Sequence, residues 1–459
     1  MSGSAQASEA ASPAEAWNRL LRSDVELSPP FLAEWNARMR ARKLTFGNRL
    51  HCPFLRPFFL STQEEGRVRE VAEAIAKLGE RIVKQALADP ALLAQVALSE
   101  EEERLARIDP RYVTSSTASR LDAFLLPDSL QFAEYNAESP AGPAYSETLA
   151  DVFLTLPAMK EFEKRYHVRK YPLMDQLLEA LLASYREWGG TASPPVIAIV
   201  DWRGVPTWTE FEILQAHFEK QGVPTIISDP RDVEFKGGRL VAQGRRIDLL
   251  YRRVLINDVV ARRAECDAVV QAYAAGAVCM ANAFTCKIPH KKAFFAVLTD
   301  DGNAALFSLA EHELIRRHIP WTRLLADVKT TRDGESFALV DYARRRRNDF
   351  VLKPNDEYGG TGVLLGWETS EREWDSAIER ALADRTRVWV VQERIAIRRE
   401  VFPMQTEHGV EMRDMLVDFA PYLFRGKMAG FLTRLSSTGL ANVTSGGGQV
   451  PAFAVDPRI

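Results

Sequence analysis

The chain has 459 residues, too many for one simple core, so two or three packed modules are expected. Hydrophobic residues make up 46% and charged residues 26%, and 59 basic against 62 acidic residues leave a net charge of −3, which gives no electrostatic basis for binding nucleic acid or an anionic membrane. Cys52, Cys266, Cys279 and Cys286 form no CxxC pair, which speaks against a zinc site or a disulfide scaffold and for a reducing, cytoplasmic setting. Residues 1–15 are small and polar, lack the basic start and apolar run of a secretion signal, and are expected to form a disordered tail. No stretch approaches the roughly 20 apolar residues of a membrane span. Residues 16–114 read as a helical region, with apolar residues at helical spacing over 68–78 and 92–108 and breaks at Pro53, Pro57 and Pro90.

The pattern changes near Ser115. Two short apolar runs, 121–126 and 130–135, flank Pro127-Asp128-Ser129, a turn composition, and predict a β-hairpin. A loop over 139–143 and a long helix to about Trp188 complete a unit over 115–188. After a linker, the continuous apolar run 196–200 predicts a buried parallel strand. A helix over 209–221, a strand at 225–227, a hairpin about Gly237-Gly238 and a strand at 247–251 make 195–255 an α/β domain begun by a βαβ unit. Residues 256–459 are expected to be α+β, with strands near 351–353, 362–366, 388–392, 415–419 and 427–435. The fold class is α/β (α+β).

Two constellations carry chemistry. Residues two apart in a strand share a face, so Arg120 and Asp122 point one way, and so do Glu134 and Asn136. If the hairpin turns symmetrically about Asp128, Asp122 opposes Glu134 and Arg120 opposes Asn136. Two carboxylates so placed repel unless a cation lies between them, and with an amide they form a hard oxygen set suited to magnesium. Arg120 beside them is placed to neutralise a transferring phosphoryl group. Read alone, the segment favours an exposed hairpin of mixed charge, and the flanking Phe124, Leu125, Phe132 and Tyr135 are what argue for a partly buried one. The second constellation is an apolar strand ending in Lys353, followed by a loop containing Gly359, Gly360, Thr361 and Gly362. Such a loop lets backbone N–H groups approach phosphate oxygens. It is neither a Walker A nor a Rossmann motif, and the bland alternative is a hairpin turn. Gln392-Glu393 ends another apolar strand; alone it reads first as a core strand ending at the surface, and in a nucleotide site its backbone can read adenine and its carboxylate can hold ribose. Lys291 and Lys292 stand at a helix start, where cations oppose the dipole; that fits either a nearby phosphate or a solvated surface pair.

Arg120-Leu121-Asp122 with Glu134-Tyr135-Asn136-Ala137-Glu138-Ser139-Pro140 resembles the metal-binding segments of the glutathionylspermidine synthase family. Ile288-Pro289-His290-Lys291-Lys292-Ala293 resembles that family's first lysine segment, with Lys292 the matched lysine; Lys353 and the 359–363 loop resemble its second lysine and glycine-rich loop; Gln392-Glu393 resembles its hinge. His290 and Lys291 replace Gly-Asn, and Glu393 replaces Gln. Here the metal segments precede the lysines, as in the circularly permuted branch of ATP-grasp enzymes. The resemblance implies an ATP-grasp fold in permuted order with a pre-ATP-grasp-like domain at 195–255 and nucleotide-binding subdomains over 256–459. It implies ATP bound by Lys292, Lys353, the glycine loop, Gln392 and Glu393. Mg2+ would be held by Asp122, Glu134 and Asn136, with Arg120 catalytic. The implied activity is ligation of a small-molecule or peptide carboxylate to an amine through an acyl phosphate. The alternative is a regulatory or scaffold protein that binds nucleotide without catalysis. Arg434, Asn442 and the turn at Gly446-Gly447-Gly448 form a weaker set of candidates.

Overall fold

The structure, a computed structural model, describes residues 12–23, 27–47, 49–357, 359–437 and 447–458. The expected disordered tail lies largely outside them, but its last residues, from Pro13, open a helix (Pro13–Ser23).

Three sheets position the site. The apolar run at Ile197–Val200 is buried throughout and lies in a four-stranded parallel sheet, in the order Cys279–Ala281, Leu249–Arg252, Ile197–Val200, Thr225–Ser228. Its strands carry no polar face, so helices must cover it. Leu173–Trp188 packs on one pair of strands, and Trp208–Lys220 packs on Thr225–Ser228. The central sheet runs Gly448–Val450, Lys427–Ser436, Gly409–Phe424, Ala118–Leu125, Leu130–Asn136, with Arg399–Thr406 also paired to Gly409–Phe424. The helix Thr62–Ala88 lies against it. That helix begins in a capping box, in which Ser61 Oγ accepts from Glu64 N at 3.1 Å and Glu64 Oε2 accepts from Ser61 N at 2.8 Å. It buries Val68, Val71, Ala72, Ile75, Ala76 and Leu78, the stripe the spacing predicts. The third sheet, Thr322–Leu324, Trp389–Glu393, Phe350–Pro354, Leu364–Leu365, is antiparallel and has its own core around Trp321, Phe350 and Trp374. The mixed α and β class is as expected, and the strands anticipated at 351–353, 388–392, 415–419 and 427–435 all coincide with observed ones.

Two expectations need correction. The single long helix to Trp188 is three, Pro143–Leu154, Pro157–Phe162 and Leu173–Trp188, with a strand Tyr166–Arg169 between the last two. Pro157 starts a new helix, and among the described residues the strand pairs only with the distant Ala452–Pro457, which no local pattern reveals. The 92–108 helix is broken: Pro90–Ala94 ends, Ala97 takes φ +57°, and Ser99 caps a new helix, Glu100–Ala106. A strand Phe58–Leu60 also interrupts the N-terminal helices, pairing parallel to Ala452–Pro457.

Gly142 shows how closely the loop after the hairpin is fitted. Its φ is +108°, its N–H donates to Glu210 at 2.7 Å, and an added Cβ would lie 2.4 Å from Tyr422 Oη. Gly142→Ala is expected to cost roughly 2 kcal/mol from backbone strain and displacement of Tyr422. Urea unfolding of both proteins would show it as a lower midpoint at unchanged slope.

Candidate active site

The hairpin Ala118–Leu125/Leu130–Asn136 pairs Arg120 with Asn136, Leu121 with Tyr135 and Asp122 with Glu134. Beyond Asp122 the register shifts, so Ala123 opposes Phe132, and the turn is not symmetric about Asp128. A bulge at this point re-aims side chains beside the site. Asp122, Ala133 and Glu134 form part of the floor of a cleft holding roughly 970 Å³ of empty space, some of it open to solvent. Across it stand Lys292, Lys353, Gly359, Gly360, Thr361, Gln392 and Glu393, and Phe124, Val351, Leu365, Trp367 and Ile395 make an apolar flank. Arg120 and Asn136 stand beside the floor, bonded to Asp122 and Glu134. The fold thus brings the two sequence constellations to one place.

Charges there are closely matched. Arg120 Nε donates to Asp122 Oδ1 at 2.7 Å, its Nη2 to Oδ2 at 3.2 Å, and its Nη1 to Ala141 O at 3.2 Å. Arg434 Nη2 donates to both Asp122 Oδ2 and Asp418 Oδ2, and its Nε reaches Asp418 Oδ2 at 2.7 Å. Asn136 Nδ2 donates to Glu134 Oε1 at 3.0 Å, which leaves the amide oxygen of Asn136 for another partner. Lys292 Nζ lies 3.3 Å from Glu134 Oε2 and donates to Glu357 O at 2.7 Å. Lys353 Nζ donates to Ala133 O at 3.0 Å and to Gln392 Oε1 at 2.7 Å. Burial alone would raise the Glu134 carboxyl, but Lys292 and Lys353 outweigh it and hold it well below the usual range. Burial pushes Lys353 down to about 8, against the opposing pull of Glu134. Burial likewise raises Asp418 to about 7 in spite of Arg434.

The glycine loop takes φ of +66°, +76° and +74° at Gly359, Gly360 and Gly362, backbone that side chains rarely adopt. A Cβ at Gly362 would sit 2.9 Å from the Pro354 ring. At the hinge, Gln392 is buried, with its oxygen on Lys353 and its nitrogen on Thr322 Oγ1, so its side chain fixes the lysine. Glu393 is paired with Arg332 at 2.7 Å. Of the weaker set, Arg434 lines the cleft and Gly448 opens an edge strand, whereas Asn442 and Gly446 fall outside the described residues.

Asp122, Glu134 and Asn136 offer hard oxygens suited to magnesium shared with phosphates. Among the described residues no group of three or more His, Cys, Asp or Glu side chains is arranged to hold a metal ion by itself, and guanidinium groups already engage Asp122. The set fits a cation completed by phosphate oxygens, not an all-protein cage.

Sequence reasoning missed two features. Asp418 is an acid within the apolar run Leu416–Tyr422, and that anomaly was the available signal. The second is a buried charge cage behind the glycine loop. Lys287 lies 2.7 Å from Asp356 and 3.4 Å from Glu138, and Lys291 lies 2.9 Å from both Asp356 and Glu102. Carboxylates, not a phosphate, therefore answer the charge of Lys291. Lys287→Met would leave Glu138, 1% exposed, short of a counter-charge and is expected to cost about 3 kcal/mol. Calorimetric melting at pH 7 checks it.

Residues 127–436 match the family described as circularly permuted ATP-grasp type 2. The chain belongs to that family. This circularly permuted ATP-grasp protein is 25% identical over 352 residues to an uncharacterized protein of Mycobacterium leprae, covering 71% of this chain and 56% of that one. A Frankia alni protein named "Putative glutamate--cysteine ligase 2-3" is 24% identical over 329 residues, covering 69% of this chain and 36% of that one. The chain thus spans about half the length, or less, of these relatives. The solved structure of a glutathione synthetase-like effector from Globodera pallida shares the fold, with a TM-score of 0.56 over 97% of this chain and 98% of that one at 11% identity. No helix among the described residues is long and apolar enough to cross a membrane.

Proposed function

We propose that the protein is an ATP- and magnesium-dependent ligase that joins a carboxylate to an amine. The observation that carries this reading is the contact between the two constellations: Lys292 Nζ stands 3.3 Å from Glu134, so cationic phosphate-binding groups and oxygen donors for a cation face one cleft. Membership of an ATP-grasp family and the name of the Frankia relative support the same chemistry.

A substrate carboxylate oxygen would attack the γ-phosphorus as the bond to ADP breaks, giving an acyl phosphate. The amine would then attack the acyl carbon, lose a proton, and release inorganic phosphate. Lys292 and Lys353 hold phosphate oxygens, and the glycine loop covers them and keeps water from the acyl phosphate. The apolar flank at Val351, Leu365, Trp367 and Ile395 takes the base, and Glu393 takes ribose. Arg120 and Arg434 neutralise the transferring phosphoryl group. Asp122, Glu134 and Asn136 would hold magnesium, whose charge draws the phosphates together.

The test is ADP release from the purified chain with Mg-ATP and pooled amino acids, small peptides and polyamines. Release is expected only when both a carboxylate and an amine are present. Release without an amine would indicate a kinase, and nucleotide binding with no release in any pool would favour a non-catalytic nucleotide-binding protein.

A further inference from the structure

Both oxygens of Asp122 are already engaged. Oδ1 accepts from Arg120, and Oδ2 accepts from both Arg120 and Arg434, which fills its two lone pairs. A cation that engages Oδ2 therefore takes the place of one guanidinium. Arg120 is the less able to leave, since it holds both oxygens of Asp122 and the carbonyl of Ala141 and is 7% exposed. Arg434 meets Asp122 through one nitrogen only and has a second partner, Asp418, on its Nε and Nη2. Asp418 is 2% exposed, lines the cleft, and has Oδ1 buried with no hydrogen-bond partner. A buried, half-satisfied carboxylate is costly unless it is kept for a partner. Strand register keeps the pair together, because Asp418 opposes Arg434 directly across the antiparallel ladder.

We propose that Asp418 is a positioning residue that receives Arg434 when a divalent cation displaces it from Asp122. The inference rests on the cation reading of Asp122 and Glu134 given above. In this structure the Arg434 guanidinium bridges two carboxylates and supplies the positive charge between them. On cation binding its Nη2 leaves Asp122, and the free Oδ1 of Asp418 accepts it. Arg434 then stays charged, paired and beside the phosphate position instead of lying unpaired against a divalent ion. Without Asp418 each cation bound would strand a largely buried guanidinium.

The role is one of coupling, so a double-mutant cycle reads it. Mn2+ binding to the full chain, with a non-hydrolysable ATP analogue, is measured by electron paramagnetic resonance for wild type, Asp418→Asn, Arg434→Gln and the double variant. Glu134→Ala reports the cation site itself. Asp418→Asn is expected to weaken Mn2+ binding at least tenfold when Arg434 is present and less than threefold in the Arg434→Gln background. Equal losses in both backgrounds would mean that Asp418 acts as a ligand or a distant charge, and would overturn the proposal. So would an unchanged affinity in Asp418→Asn. If wild type shows no Mn2+ binding that depends on Glu134, the cation reading fails and this inference with it. Asp418→Ser repeats the cycle should the asparagine variant fold poorly.

Discussion

Glu134→Ala is expected to lower Mg-ATP-dependent turnover about a thousandfold, the scale of losing one well-placed electrostatic partner of the transition state. Glu134 faces both lysines across the cleft, and it is held ionised by them. Removing it would take a cation ligand away and leave Lys292 and Lys353 as neighbouring like charges. Glu134 is also the first of the forces that keep Lys353 protonated against burial. Its loss would drive Lys353 further below about 8, so that lysine would be partly neutral at pH 7.5. The variant should therefore lose cation binding and phosphate binding together. Initial rates of ADP formation at saturating Mg-ATP, with nucleotide binding by calorimetry, separate the two losses. A variant that keeps wild-type turnover would remove Glu134 from the cation site.

The second large effect follows pH. Lys353 must be charged to hold phosphate, and in the free protein it gives up its proton at about 8. Bound polyphosphate raises that value, so protonation and binding are linked. ATP affinity should be flat below pH 8 and weaken up to about tenfold per pH unit above it, until the value for the complex is reached. Lys353→Met should bind ATP about a hundredfold more weakly at pH 7, as expected on truncating one partner of a buried charged contact, with no slope between pH 8 and 9. The stability sign is opposite. The unfolded chain keeps the lysine proton to the ordinary lysine value while the folded one loses it at about 8. Unliganded stability therefore gains a contribution as pH rises through 8, and the methionine variant lacks it. Calorimetric titration at pH 6.5 to 9.5 tests the first statement, and thermal melts over the same range test the second.

Strand alternation placed Arg120 with Asp122 on one face and Glu134 with Asn136 on one, but the pairing of Asp122 with Glu134 came from a turn taken as symmetric about Asp128, which the structure does not have. It could not place the shift after Asp122, because a bulge changes the count without changing the apolar pattern. The parallel strand Ile197–Val200 was legible as an unbroken apolar run. The strands Phe58–Leu60 and Tyr166–Arg169 were not, because each depends on the distant Ala452–Pro457. In the site, Lys353 and the glycine loop were legible as a strand end and turn chemistry. Asp418 and Arg434 were harder, since their meaning comes from a sheet that joins them to a hairpin far earlier in the chain. Lys291 and Lys292 read alike as adjacent cations, yet one enters a cage of Glu102 and Asp356 and the other faces the cleft.

The most direct test of the ligase account traps its intermediate. The chain is incubated with Mg-ATP, hydroxylamine as a universal amine, and a panel of carboxylates. The account predicts that at least one carboxylate yields a hydroxamate in equal amount to ADP, and that Glu134→Ala yields neither. ADP without hydroxamate, or ATP bound and never cleaved across the panel, would contradict it.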